Sequence, residues 1–230
     1  MKTIGLIGGM SWESSQEYYR IINQEMKQIL GGFHSAKCIL YSVDFAEIER
    51  LQHEDKWEEL TDLMIRAAHS LEKAGADFIL ICTNTMHKMA DEVQNSIKIP
   101  LLNLIDATAE QVKQAGLTKI GLLGTKFTME QDFYRGRLSD RFGLEVIIPD
   151  DGQREFIHHV IYDELCLGIV NQSSKGEFIK IIDHLVDRGA EGIILGCTEI
   201  PLLISQSDLL VPIYNTTEIH AKAAVRYALG

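Results

Sequence analysis

Several features that mark common classes of protein are missing from this sequence. No apolar run approaches the ~18 residues that a membrane-spanning helix needs, and no secretory signal precedes the first apolar segment at 4–7. The four cysteines, at positions 38, 82, 166 and 197, show no CxxC spacing, which fits a reducing compartment better than a disulfide framework or a zinc knuckle. With 22 basic residues against 33 acidic ones and a net charge of −11, the chain would repel nucleic acid and anionic membranes. We therefore expect a cytoplasmic protein that binds neither.

Motifs for nucleotides and metals are missing as well. Gly8 and Gly9 follow the first apolar run without the GxGxxG spacing, so we do not expect a dinucleotide site. His87, His158 and His159 have no ligand spacing with the cysteines, so we expect no metal. If the substrate is an anion, the site must supply its own local positive potential.

What the sequence does contain is a short apolar run, ending in small polar side chains, that occurs twice. Phe78–Ile81 is followed by Cys-Thr-Asn-Thr at 82–85, and residues 192–195 are followed by Gly-Cys-Thr-Glu at 196–199. Each run predicts a buried parallel strand that leads into a helix. Ligands of open α/β sheets bind at the carboxyl ends of such strands, so the polar residues lie where a ligand is expected.

This repeat is one of three matched segments. Position 197 follows position 83 by 114 residues (197 minus 83), and Ile-Gly-Leu at 120 follows the same triplet at 4 by 116 residues (120 minus 4). The proline of Val-Pro-Ile follows that of Ile-Pro-Leu by 112 residues (212 minus 100). Three matches in the same order indicate a duplication.

The duplication predicts an α/β protein of two pseudo-symmetric lobes, each a mostly parallel four-stranded sheet flanked by helices. We assign residues 1–104 and 214–230 to the first lobe and residues 105–213 to the second, with the active site in the cleft between them. Ser11 is expected to cap the first helix. Helices are predicted over 12–30, 57–74, 86–96, 106–115, 129–142, 154–165, 176–188 and 217–229, and further strands over 37–43, 99–103, 120–125, 145–148 and 211–215.

The pairing of the lobes has a chemical consequence. Thr83 and Cys197 would flank a small ligand from opposite sides, which suits a reaction that removes a proton from one face of a carbon and returns one to the other. Uncharged donors around them would bind a carboxylate and stabilise the charge that develops on it. These donors are the backbone amides of Gly8 and Gly9 and the side chains of Asn84, Thr85, Thr125, Thr128 and Thr198.

Four motifs together resemble one family over the whole chain: GLIGGMSWES at 5–14, CTNTMH at 82–87, LLGTKFTMEQDFYRGRL at 122–138 and GCTEI at 196–200. They resemble the cofactor-independent aspartate/glutamate racemase superfamily, and within it the enterobacterial racemases that carry a Thr/Cys pair. The resemblance implies an amino-acid racemase that uses no pyridoxal phosphate or other cofactor, and a homodimer.

The resemblance also implies roles for particular residues. Cys197 matches one catalytic cysteine of the family, with Thr198 and Glu199 beside it, and Thr83 stands where typical members have the other. Cys82 lies one residue early and should point away from the cleft by strand alternation.

Thr83 changes the expected chemistry. A free thiol has a pKa of ~8.5 that a helix N-terminus lowers, whereas a threonine hydroxyl does not ionise near neutrality. Cys197 is therefore expected to be the base and Thr83 the opposing proton donor, with faster turnover from the L-isomer than from the D-isomer.

A second departure concerns the substrate. Related aspartate racemases carry one basic residue on the loop after the second strand and another at the end of a helix that precedes a glycine. Gln52 and Cys166 occupy the matching places, which weakens the case for strict aspartate specificity and leaves neutral substrates such as homoserine open. Met10 and Gln52 are expected substrate contacts, and Arg50, His53 or Lys56 could restore the missing positive charge.

Other interpretations remain open at this point. Cys197 could be a buried structural thiol, and Thr83 could be a helix cap. A single catalytic cysteine is also found in the related arylmalonate decarboxylases, and loss of the first cysteine would suit an amino-acid binder that performs no chemistry. Cys38 and Cys82 are expected to lie in the core.

Overall fold

The computed structural model describes every residue from Met1 to Gly230, and the chain forms two compact units. Met1–Leu104 and His220–Gly230 make up the first unit, and Ile105–Ile219 make up the second. No helix is both long enough and apolar enough to cross a membrane.

The first unit contains a parallel sheet of three strands in the order β2-β1-β3. β1 is Ile4–Gly8, β2 is Cys38–Ser42 and β3 is Phe78–Ile81. β1 and β3 are buried along their whole length, as expected for parallel strands covered on both faces. The helices of this unit are α1 (Trp12–Leu30), α2 (Phe45–His53), α3 (Trp57–Lys73) and α4 (Ala90–Ser96), and a 3-10 helix covers Thr85–Met89.

The second unit contains a parallel sheet of four strands in the order β5-β4-β6-β7. Gly124 at the end of β4 pairs with Gly196 at the end of β6, so these two neighbouring strands stop at the same edge. The strands are β4 (Lys119–Gly124), β5 (Glu145–Ile147), β6 (Ile193–Gly196) and β7 (Ile213–Asn215). The helices are α5 (Leu104–Gln114), which begins at the last residue of the first unit, then α6 (Lys126–Glu130), α7 (Asp132–Phe142), α8 (Asp151–Asp163) and α9 (Gln172–Asp187), and α10 (Thr216–Leu229) returns the chain to the first unit.

The predicted fold class is confirmed, since two parallel sheets are flanked by helices. The first sheet, however, has three strands and not four. The predicted strand at 99–103 is reduced to a single bridge between Leu101 and Ile79. Pro100 has no N–H with which to continue the ladder on one side, and on the other side the Leu102 carbonyl and the Leu104 N–H bond to His220 and His87. Residues 214–219, assigned to the first lobe from the sequence, belong to the second unit, where β7 pairs with β6.

The helices predicted at 154–165 and 176–188 begin three and four residues earlier, at Asp151 and Gln172, and three other helical regions differ in more than their ends. The sequence pattern predicts no helix directly after β2, yet α2 forms there, and the Asp44 side chain accepts a hydrogen bond from the Ala46 N–H at its start. The predicted helix at 86–96 is a 3-10 turn followed by α4. The predicted helix at 129–142 is two helices, α6 and α7, because Gln131 between them is extended.

Candidate active site

A tight turn after β1 forms the first part of the candidate site. Gly9 has φ +91, and a Cβ there would collide with the carbonyl oxygen of Val43, so only glycine fits this turn. The Ser11 hydroxyl then accepts a hydrogen bond from the Ser14 N–H at 3.3 Å, which confirms the predicted cap of α1. The Gly9 N–H donates to the Ser15 hydroxyl at 2.7 Å. This amide, expected to bind a substrate carboxylate, is therefore engaged within the protein.

The segment after β3 carries Thr83 and its neighbours. Cys82 lies just beyond β3 and is fully buried in the hydrophobic cluster that also contains Tyr18. Thr83 is partly exposed, whereas Asn84 and Thr85 are buried. The 3-10 helix that follows has Asn84, not Thr83, as its N-cap residue, so the structure does not support a capping role for Thr83.

Gln52 lies beside this segment. It is on α2, and not in a loop as the family pattern suggests, and its side-chain amide donates to Met86 Sδ at 3.2 Å. Met10 is buried in the same hydrophobic cluster as Met86. We refer to Met10, Gln52, Thr83, Asn84 and Thr85 as the first strand-end group, because Gln52 contacts Met86, which follows the last of these residues, and Met10 belongs to the same hydrophobic cluster as Met86.

The three residues suggested as substitutes for the missing basic residues each have a carboxylate partner nearby. These surface pairs are Arg50 with Glu54, His53 with Glu49, and Lys56 with Glu59, at 2.7, 3.1 and 3.7 Å.

In the second unit, two neighbouring strands deliver the polar residues. A Cβ on either Gly124 or Gly196 would come within 2.7 to 2.8 Å of a carbonyl oxygen of the other strand, so the two strand ends can approach only as glycines. Thr125 follows β4, caps α6 and lies 3.2 Å from the Thr128 hydroxyl. Both threonine side chains are buried.

Cys197 follows β6 at this same edge. Its thiol donates to Glu199 Oε2 at 3.1 Å, and the Thr198 hydroxyl donates to the same oxygen at 2.6 Å. Cys197 and Glu199 are only 7% and 5% exposed. A thiol, a hydroxyl and a carboxylate on three consecutive residues are thus joined by hydrogen bonds. We refer to Thr125, Thr128, Cys197, Thr198 and Glu199 as the second strand-end group.

The environment of Cys197 holds its thiol protonated. Burial raises the pKa of Cys197 well above its ordinary value, and the negative charge of Glu199 and the nearby Cys166 raise it further. Cys166 packs against the hydrophobic cluster that contains Cys197. The sequence suggested the opposite direction, since a helix N-terminus lowers a thiol pKa. Only a short 3-10 turn, Ile200–Leu202, follows Cys197. The increase in pKa caused by burial and by the Glu199 carboxylate outweighs any decrease caused by that turn.

Replacing Glu199 with glutamine should therefore make Cys197 more acidic. Removing the carboxylate charge removes one cause of the raised pKa, so alkylation of Cys197 by iodoacetamide should begin at a lower pH than in the wild type. Peptide mass spectrometry across a pH series measures this shift. Glu177→Gln on α9, where Glu177 pairs with Lys180, is the control and should leave the profile unchanged. A shift to higher pH in Glu199→Gln would contradict the assigned cause.

Taken together, fold and strand-end groups define an α/β protein of two units, each with a parallel sheet that carries its reactive side chains at the carboxyl ends of its strands. The family model for Asp/Glu/Hydantoin racemase matches residues 7–224. The chain belongs to this family and is an isomerase of the amino-acid racemase type.

Solved structures agree with this assignment. A candidate Asp/Glu racemase from Yersinia pestis is 56% identical, with a TM-score of 0.94 and 100% of both chains covered. An aspartate racemase homologue from Pyrococcus horikoshii is 37% identical, with a TM-score of 0.87 over 100% of both chains. Among characterised relatives, the broad specificity amino-acid racemase RacX of Bacillus subtilis is 24% identical over 96% of each chain.

Proposed function

We propose that this protein interconverts the L- and D-isomers of aspartate or glutamate without pyridoxal phosphate, with Cys197 as the base and Thr83 as the opposing proton donor. One observation carries the proposal. When the two repeats are aligned at their offset of 114 residues (197 minus 83), Thr83 and Cys197 occupy equivalent positions just beyond the equivalent strands β3 and β6. Inversion by two groups requires that each reach the same carbon from a different face.

Cys197 must lose its proton before it can act as a base. Glu199 Oε2 lies 3.1 Å from Cys197 Sγ, so we assign this carboxylate as the acceptor of the thiol proton. The positively charged α-ammonium of an arriving amino acid would offset the negative charge of Glu199. That would ease formation of the thiolate, because an opposite charge nearby favours an ionised group.

The proton transfers then balance as follows. The thiolate removes the α-proton of the L-isomer, and the electron pair of the broken C–H bond delocalises into the substrate carboxylate. Hydroxyl donors such as Thr125 and Thr198 stabilise that charge. The Thr83 hydroxyl gives a proton to the opposite face while it takes one from solvent, so no free alkoxide forms. Removal of the α-proton leaves Cys197 protonated again, and Glu199 releases the proton that it accepted to solvent, which balances the proton that Thr83 takes up.

A broad-specificity racemase that accepts neutral side chains such as homoserine's is the second candidate. The observation in its favour is that the buried Gln52 is neutral and that Arg50, His53 and Lys56 each have a carboxylate neighbour. A distal carboxylate would gain little from basic side chains that are already paired. The name of the Bacillus subtilis relative is consistent with this candidate.

Proton NMR in D₂O with a panel of L-amino acids tests the proposal. Loss of the α-proton signal, together with formation of the D-isomer on a chiral column, is expected first with aspartate or glutamate. Faster reaction of neutral amino acids would favour the second candidate. Release of CO₂ from a malonate without racemisation would indicate a decarboxylase. Binding without any exchange would indicate a protein that only binds amino acids, and would refute the proposal.

The homodimer implied by the family resemblance and the cytoplasmic location expected from the sequence belong to the same proposal. All four cysteines are free, which suits a reducing compartment. Light scattering of the purified protein measures the mass and tests the dimer.

A further inference from the structure

We propose that His87 is a positioning residue for Thr83, holding the turn that carries the Thr83 hydroxyl in place relative to the start of α5. The inference rests on the proposed role of Thr83 as proton donor. His87 has no assigned role in the chemistry, and the sequence offered only the weak signal of a histidine four residues after Thr83.

Both ring nitrogens of His87 are used. Nδ1 lies 2.7 Å from the Thr83 carbonyl oxygen, and Nε2 lies 3.1 Å from the Leu104 backbone nitrogen. A backbone N–H can only donate, so Nε2 must be the acceptor and carry no hydrogen. These bonds assign the neutral tautomer with its hydrogen on Nδ1, which donates to Thr83. The ring is 4% exposed.

The two partners of His87 both need external support. Thr83 lies between the end of β3 and the 3-10 helix, outside regular structure. Leu104 is the first residue of α5, and the first N–H groups of a helix have no partner within it. One imidazole therefore ties the Thr83 turn to the beginning of α5 with two hydrogen bonds.

The His87 ring packs against a second buried histidine. His220 packs edge-on against it, with ring centroids 5.8 Å apart. Nδ1 of His220 lies 2.9 Å from the Tyr18 hydroxyl, and Nε2 lies 2.8 Å from the Leu102 carbonyl oxygen. Nε2 therefore donates to Leu102 and Nδ1 accepts from Tyr18. Burial lowers the pKa of His220 to about 3, which keeps this arrangement neutral across the working pH range.

A buried histidine is often only a satisfied member of a core. What distinguishes His87 is that its donor holds the backbone of the proposed proton donor itself. A shift of about 1 Å in a reacting group can cost about 100-fold in rate, so a loose Thr83 turn should impair proton delivery far more than proton removal by Cys197.

Two substitutions separate the two hydrogen bonds. The amide of His87→Asn reaches about as far as Nδ1, so it keeps the hydrogen bond to the Thr83 carbonyl oxygen and loses the one from the Leu104 N–H. The amide of His87→Gln reaches about as far as Nε2, so it keeps the hydrogen bond from the Leu104 N–H and loses the one to the Thr83 carbonyl oxygen. Both variants are assayed in D₂O with the L-isomer as substrate. The measured quantity is the amount of D-isomer formed divided by the amount of L-isomer that has gained deuterium at the α-carbon. This ratio does not depend on how much of the enzyme is folded.

We expect His87→Gln to lower the ratio about 10- to 100-fold, and His87→Asn to stay close to the wild type. In a Thr83→Ala background, His87→Gln should lower the ratio no further, since residues that act through one another are not additive. His159→Gln, at an exposed position on α8 whose ring lies near Glu155 and Asp163, is the matched control and should leave the ratio unchanged.

The outcomes are distinct. Equal reductions in His87→Asn and His87→Gln, or an unchanged ratio in His87→Gln, would overturn the positioning role while leaving the proposed racemase intact. An additive effect on top of Thr83→Ala would also overturn it. Exchange without any D-isomer in the wild type would refute the proposed function, and the positioning role with it.

Discussion

Replacing Cys197 with serine is expected to abolish most of the α-proton exchange of the L-isomer, with a loss of about 10²- to 10⁴-fold. A serine hydroxyl keeps the size and the hydrogen bond to Glu199 but cannot ionise as a thiol does. The buried position beside Glu199 already disfavours the thiolate, and a group that is far less acidic would have no useful fraction in the basic form. Because Cys197 is the proposed base for the L-isomer, exchange and inversion should fall together.

Initial rates of deuterium incorporation by NMR measure this effect. Cys38→Ser on β2 is the matched control, since Cys38 is another free and partly buried cysteine and should keep wild-type rates. Thermal unfolding of both variants checks that the fold is retained. If Cys197→Ser kept more than a tenth of the exchange rate, Cys197 would be a structural thiol and the two-base mechanism would be wrong.

Replacing Thr83 with cysteine is expected to raise the turnover number from the D-isomer about 10-fold or more, within the range that a general base contributes. A thiolate can remove the α-proton of the D-isomer, whereas a threonine hydroxyl cannot do so near neutrality. The equilibrium constant between enantiomers is one, so kcat/KM must remain equal in the two directions. The change will therefore appear in the separate kcat values, and the ratio of kcat from L to kcat from D should fall towards one.

Initial rates at saturating concentrations of each isomer, measured by circular dichroism, give the two kcat values. Thr83→Ser retains a hydroxyl and is the matched control, with an L-to-D ratio close to that of the wild type. An unchanged ratio in Thr83→Cys would mean that the residue at position 83 does not meet the D-face of the substrate.

Some features of the molecule followed from local patterns. The apolar runs at β1, β3, β4 and β6 were predictable because a buried parallel strand requires a continuous apolar stretch. The cap at Ser11 was predictable because capping depends on neighbours only a few residues away. By contrast, α2 was missed, since its apolar face is only a few residues long and its start signal is a single aspartate at 44.

The sequence by itself determined the family, the two parallel sheets and the strand ends at which Thr83 and Cys197 lie, because those depend on hydrophobic runs and on short motifs. Only the tertiary structure decided the three-strand count of the first sheet, the raised pKa of Cys197 and the double hydrogen bond of His87. Each of these depends on which groups meet after folding: Leu101 with Ile79 at a single bridge, a thiol with a desolvated carboxylate, and one imidazole with backbone groups at 83 and 104. Spacing along the chain does not encode such encounters, since burial and hydrogen bonding are set by packing between segments that are distant in sequence.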